Sequence, residues 1–123
     1  MARILIAEDD DAIRALVARA LTEEGHEIVL AVDGGEALEK LGANGPFDLL
    51  LTDIKMPVMD GIALALAVAR DFPDLPILLM TGYADQRERV SGLEALICDV
   101  IAKPFALAEI KFAVASAVAK GKR

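Results

Sequence analysis

The strongest constraint on this chain is an alternation of short apolar runs with helical stripes, kept up along its whole length. Arg3 to Ala7 is an apolar run closed by Glu8, Asp9, Asp10 and Asp11, and it reads as a buried strand. Ile13, Leu16, Val17, Ala20 and Leu21 then fall on one helical face, and Gly25 ends it. Glu27 to Val32 is a second strand, after which Asp33-Gly34-Gly35 turns the chain into a short helix marked by Ala37, Leu38 and Leu41 and ending at Gly42. Asn44-Gly45-Pro46 breaks that helix, and Phe47 to Asp53 is a third strand, apolar on both faces. Lys55 to Gly61 is a loop. Ile62 to Arg70 is a helix, because length and alanine content outweigh the strand-like alternation of 63–68. Pro73 and Pro76 bracket a turn before the strand Ile77 to Thr81. Asp85 to Leu93 is a polar helix, Ile97 to Ala102 a fifth strand, and the last helix runs from Ala106 to Lys120.

Such alternation specifies an α/β domain with a parallel sheet and helices on both faces. Five strands and five helices account for 123 residues, enough for one domain. Residues 1–120 are expected to form it, with 121–123 a basic tail and no output domain. Thirteen Lys+Arg against 20 Asp+Glu leave a net charge of −7, which repels polyphosphate, and one tyrosine with no tryptophan offers little for base stacking. Direct nucleic-acid binding is therefore not expected. No apolar run approaches the roughly 20 residues of a membrane span, and acids follow the first strand too early for a signal peptide. The single cysteine, Cys98, fits a reducing compartment. A cytoplasmic domain without membrane contact is expected.

Ligands of open α/β sheets bind beyond the carboxyl ends of the strands. There the first strand presents Glu8 and Asp9, the third Asp53, the fourth Thr81 and the fifth Lys103. Three close carboxylates stay ionised only with positive charge between them, and a hard cation such as Mg²⁺ suits oxygen ligands while leaving room for phosphate. Lys103 adds a mobile cation and Thr81 a short donor. One carboxylate could then attack phosphorus to give an aspartyl-phosphate. Asp53 is the choice of nucleophile, standing alone on the middle strand between the acid pair and the Thr81–Lys103 pair.

The segments ILIAEDDDAIR, LLLTDIKMPVMDG, ILLMTGY and VIAKPF resemble the four signature blocks of the response-regulator receiver domain, of the CheY-like stand-alone type, in order and at the usual spacing. The resemblance implies a flavodoxin-like, doubly wound five-stranded sheet of order 2-1-3-4-5 flanked by five helices. It implies a bacterial two-component phosphorelay in which Asp53 takes a phosphoryl group from a histidine kinase or phosphotransfer protein. By the same resemblance Asp9 binds Mg²⁺ directly, Glu8 acts through a water, and the Lys55 backbone carbonyl is a further ligand. Thr81 and Lys103 hold phosphoryl oxygens, and the Lys103–Pro104 peptide is cis. Output is implied through partner docking on the face of the fourth helix, fifth strand and fifth helix, by a monomer or weak dimer that is not an enzyme. The opening MARILIAEDDDAIR and the LLLTDI-MP-MDGI block also resemble single-domain regulators of alpha-proteobacteria, one relative of which is a protease adaptor switched by phosphorylation.

One position departs from the family pattern. Val100 stands where an aromatic residue usually reports phosphorylation, and Tyr83 is the candidate substitute for that readout. Lys55 and Tyr83, each two residues beyond a site residue, are bulky, which implies slow loss of the phosphoryl group. The alternatives are a receiver fragment of a longer regulator and a Mg²⁺-dependent phosphohydrolase of the haloacid-dehalogenase type. The latter wants a second acid where Lys55 lies. A flavodoxin-like electron carrier is disfavoured by the four acids at 8–11, which repel a bound phosphate.

Simpler roles suit other residues. Asp10, Asp11, Asp33 and Asp60 read as helix caps or turn residues, His26 as a solvated turn histidine, and Met56 and Met59 as loop packing. Phe112 lies off the apolar stripe of the last helix, on a face shared with Ala108, Ala115 and Ala119, where a partly buried side chain competes with a partner surface.

Overall fold

The computed structural model describes residues 2–82, 90 and 92–121. Its strands are β1 (Arg3–Ala7), β2 (Glu27–Ala31), β3 (Leu49–Asp53), β4 (Ile77–Thr81) and β5 (Asp99–Ala102). The helices among the described residues are α1 (Asp11–Glu23), α2 (Gly34–Asn44), α3 (Gly61–Asp71) and α4 (Leu107–Gly121). The further helix expected over 85–93 lies almost wholly outside the described residues, as does Tyr83. All strand pairs are parallel and the order is β2-β1-β3-β4-β5.

Period-two alternation of apolar side chains puts helices on both faces. Leu5, Ala7, Leu50, Ile77 and Leu79 pack against Ala37 and Leu41 of α2 and Leu64, Ala65 and Val68 of α3. Ile4, Ile6, Leu49, Leu51, Leu78, Met80 and Ile101 face the opposite way, toward Val17 and Leu21 of α1 and Ile110 and Val114 of α4. β3 and β4, which carry Asp53 and Thr81 to the sheet's carboxyl edge, are buried at every position.

Aspartates start three of the helices, as expected for Asp10, Asp33 and Asp60. Their side chains accept from the backbone N–H of Ile13 (2.9 Å), Glu36 (2.7 Å) and Ala63 (2.9 Å). Each cap closes a strand-to-helix turn on the site edge of the sheet. The ambiguous 63–68 stretch is helical within α3.

Some boundaries differ from expectation, for local reasons. β3 begins at Leu49: the Asp48 N–H still donates to the Arg3 carbonyl at 2.7 Å, but the Arg3 N–H donates to the Asp48 carboxylate, at 2.8 Å, rather than to a strand carbonyl. β2 stops at Ala31 because the Val32 N–H donates to Glu36 Oε1 at 2.8 Å, as part of the α2 start. β5 starts at Asp99, after the Cys98 N–H donates to the Ile77 carbonyl at 2.7 Å. His26 is half-buried rather than solvated, since its Nδ1 accepts from the Ala2 N–H at 3.2 Å. Cys98 is exposed and free, and Met56 joins the core. Phe112 is 77% exposed, so it contributes little to the interior.

Val58 has φ of 69°, a left-handed conformation unusual for a β-branched residue, and is 87% exposed. Val58→Gly removes the backbone conflict and sacrifices little packing, though it loosens the unfolded chain. The net expectation is a gain of about 1 kcal/mol, read as a higher denaturant midpoint with unchanged slope.

Candidate functional site

The parallel sheet delivers Glu8, Asp9 and Asp53 to one mouth, β1 and β3 being adjacent in register (Ala7 opposite Thr52). One carboxylate oxygen from each of the three residues lies within 4.8 Å of the others. Glu8 is fully buried, Asp53 is 6% exposed, and Asp9 stands at the surface. The cluster lines a cavity of about 640 Å³ together with Lys103, Lys55 and Gly82. Ile13, Leu16 and Phe105 form an apolar wall of the same cavity.

Lys103 is the cation the acids need. Its Nζ donates to Glu8 Oε1 at 2.7 Å and lies 3.2 Å from Asp53 Oδ2. The peptide bond to Pro104 is cis, and the Lys103 N–H donates to the Thr81 carbonyl at 2.7 Å. The other carboxylate oxygens are also held. Glu8 Oε2 accepts from the Asp10 N–H at 3.1 Å, and Asp53 Oδ1 accepts from the Ile54 N–H at 2.9 Å.

Burial dominates the protonation of Glu8. It pushes the carboxyl up to about 7, against the hydrogen bonds from Lys103 and the Asp10 N–H and with help from the charge of Asp53. Burial alone would lower Lys103, but its hydrogen bond to Glu8 and the charges of Asp53 and Glu8 raise it above its ordinary value. The upward shift of Glu8 thus comes first from its burial, even with Lys103 beside it. An all-oxygen set of this density fits a hard divalent cation.

The sign of the pH dependence follows. The folded, metal-free chain binds a proton at Glu8 that the unfolded chain releases near 4.5, so this group's contribution to stability falls as pH rises from about 4.5 through about 7. A divalent cation held by this cluster would need the ionised carboxylate, so the apparent affinity of such a site for Mg²⁺ would climb by up to roughly tenfold per pH unit below 7 and level off above. Mg²⁺ titrations between pH 6 and 8.5 check this, and a flat profile contradicts it.

The other expected site residues fall as follows. Thr81 is buried at the end of β4, beside Gly82 of the cavity wall. Val100 is half-buried on β5 and packs against the core shared with α2 and α3. Sequence reasoning missed Arg14, whose Nη1 donates to the Glu8 carbonyl at 2.8 Å, and Gly61, against which the Asp53 backbone packs.

Known proteins agree with this architecture. The response regulator receiver domain pattern matches residues 4–115. Response regulator MprA of Mycobacterium ulcerans is 42% identical over 108 residues, covering 88% of this chain but only 46% of MprA. The chain thus spans about half the length of this curated relative. The response regulator TrrA of Thermotoga maritima, solved in complex with Mg²⁺–BeF, superposes with a TM-score of 0.85 at 35% identity over 94% of this chain and 98% of that one. A CheY-like receiver domain protein from Methanospirillum hungatei gives 0.90 at 32% identity, over 99% and 97% of the two chains. Among the described residues, no helix is long and apolar enough to cross a membrane. Strand order, the clustered acids and these matches lead to one conclusion: the chain belongs to the response regulator receiver domain family.

Proposed function

We propose that this chain is a phosphorylation-controlled binding switch of a two-component system, with Asp53 as the phosphoryl acceptor. The observation that carries the reading is Lys103 Nζ lying within 3.2 Å of both Glu8 and Asp53, beside the acid cluster. An Asp53 oxygen attacks phosphorus as the bond from phosphorus to the donor's nitrogen or oxygen breaks, and the leaving group carries off the electron pair. Lys103 moves with the incoming phosphoryl oxygens, and Thr81 supplies a hydroxyl donor to them. Asp9, Glu8 through water, Asp53 and the Lys55 carbonyl would hold Mg²⁺, which offsets the negative charge of acceptor and donor when bound. The backbone N–H of Ile54 keeps the acceptor carboxylate aimed.

The donor is a histidine kinase or phosphotransfer protein of the cytoplasm. Output is the docking of a partner on the face that includes β5 and α4, where Phe112 is exposed. Val100 excludes an aromatic readout on β5 and leaves Tyr83 and Thr81 to carry it. Lys55, at the cavity, slows hydrolysis by covering the phosphoryl group. A second reading, favoured by the 46% coverage of MprA, is that residues 1–120 are the receiver part of a longer regulator. Incubation with Mg²⁺ and a small phosphodonor tests the common core. One phosphoryl group per chain is expected, none in Asp53→Asn and none with a chelator; labelling that survives in Asp53→Asn contradicts it.

A further inference from the structure

We infer that Arg14 is a positioning residue that aims the Asp9 carboxylate into the acid cluster through the Glu8–Asp9 peptide plane. The inference rests on the reading that these acids hold Mg²⁺.

Glu8 and Asp53 are each gripped by their own carboxylate contacts, to Lys103 and to the backbone N–H groups of Asp10 and Ile54. Asp9 differs. It is exposed, and among the described residues its carboxylate has no hydrogen-bond partner, so only the backbone sets its direction. That backbone leaves the sheet at this point. The Glu8 N–H still donates to Ala31, the last residue of β2, at 3.1 Å. The Glu8 carbonyl is taken instead by Arg14 Nη1 at 2.8 Å. Because the carbonyl oxygen and the Asp9 nitrogen share one rigid plane, fixing that oxygen fixes where the Asp9 Cα departs.

Arg14 is itself aimed. Its second nitrogen pairs with Asp11, and its side chain is 16% exposed while that of Asp11 is 89% exposed. A cation one turn into α1 works against the helix dipole, so this placement is unfavourable unless local acceptors offset it. The Glu8 carbonyl and Asp11 do so. Lysine does not replicate the arrangement, because it lacks the planar fork that reaches two acceptors at once.

Two effects of opposite sign can be separated. Removing a positive charge near the cluster by itself strengthens Mg²⁺ binding, whereas releasing the peptide plane weakens it. The test is a Mg²⁺ titration followed by amide chemical shifts of Glu8 and Asp9, on wild type, Arg14→Gln and Arg14→Lys. Arg14→Gln is expected to bind about tenfold more weakly. Arg14→Lys, which keeps the charge and the fold but not the fork, is expected to bind about threefold more weakly. Shifts report only the folded molecules, so a role confined to stability lowers the melting temperature and leaves these affinities unchanged. Equal or tighter binding by Arg14→Gln, or by Arg14→Lys should the first variant not fold, overturns the inference while wild type still binds. Absence of binding by wild type overturns the Mg²⁺ reading and this inference with it.

Discussion

Lys103→Met is expected to slow phosphoryl transfer from a small donor to Asp53 by about 10²–10³-fold, the usual cost of removing one charged donor from a group-transfer site. The same change is expected to destabilise the metal-free chain. Glu8 and Asp53 are buried and share this one ammonium, and stripping the partner from a buried ion pair typically costs about 3 kcal/mol. Glu8 can escape part of that cost by taking up a proton, as its upward shift indicates. The loss of stability is therefore larger at pH 8 than at pH 6. Denaturant melts at the two pH values, with parallel single-turnover labelling, check both halves. A variant equally destabilised at both would mean that Glu8 does not share the lysine's charge.

Gly61→Ala is expected to have the largest effect on the fold. A Cβ at this position would lie 2.1 Å from the Asp53 carbonyl oxygen and 2.9 Å from the Asp53 carbonyl carbon and the Ile54 Cα. All three are backbone atoms of the segment that leaves β3, and no rotamer change relieves the overlap. The Gly61 N–H also donates to the Ile54 carbonyl at 2.7 Å, tying α3 to that segment. Relief requires the start of α3 to move away from Asp53, and overpacking of this kind costs about 3 kcal/mol. Because the atoms displaced belong to Asp53, the proposed acceptor, labelling of the folded fraction is expected to fall too. Thermal melts and labelling normalised to folded protein separate the two effects; a melting temperature equal to wild type contradicts the close-packing argument.

Much of this architecture is legible in the chain before any coordinates. β1 and β4 coincide with their apolar runs because buried parallel strands need no alternation, and their ends are marked by Glu8 and by Thr81 with Gly82. The acids at the carboxyl edge are visible because strand ends in such a sheet converge, so Glu8, Asp9, Asp53 and Lys103 could be grouped from their positions alone. The Asp caps were readable because their chemistry is local. What could not be read depends on contacts between distant segments. Glu8 and Lys103 are 95 residues apart, and only the fold shows which carboxylate the lysine takes first and that Glu8 is completely buried. Asp48 looks like a strand residue until Arg3 is placed beside it. Arg14 looks like an ordinary helix-surface cation until the Glu8 carbonyl is found without a strand partner beyond β2.

The most direct test uses beryllium fluoride, which TrrA carries together with Mg²⁺. Fluorine spectra of this protein with beryllium fluoride should show bound resonances only when Mg²⁺ is present, and those resonances should vanish in Asp53→Asn. Bound signals that persist in Asp53→Asn, or that form equally well without Mg²⁺, would contradict an acceptor at Asp53 served by a metal at the acid cluster.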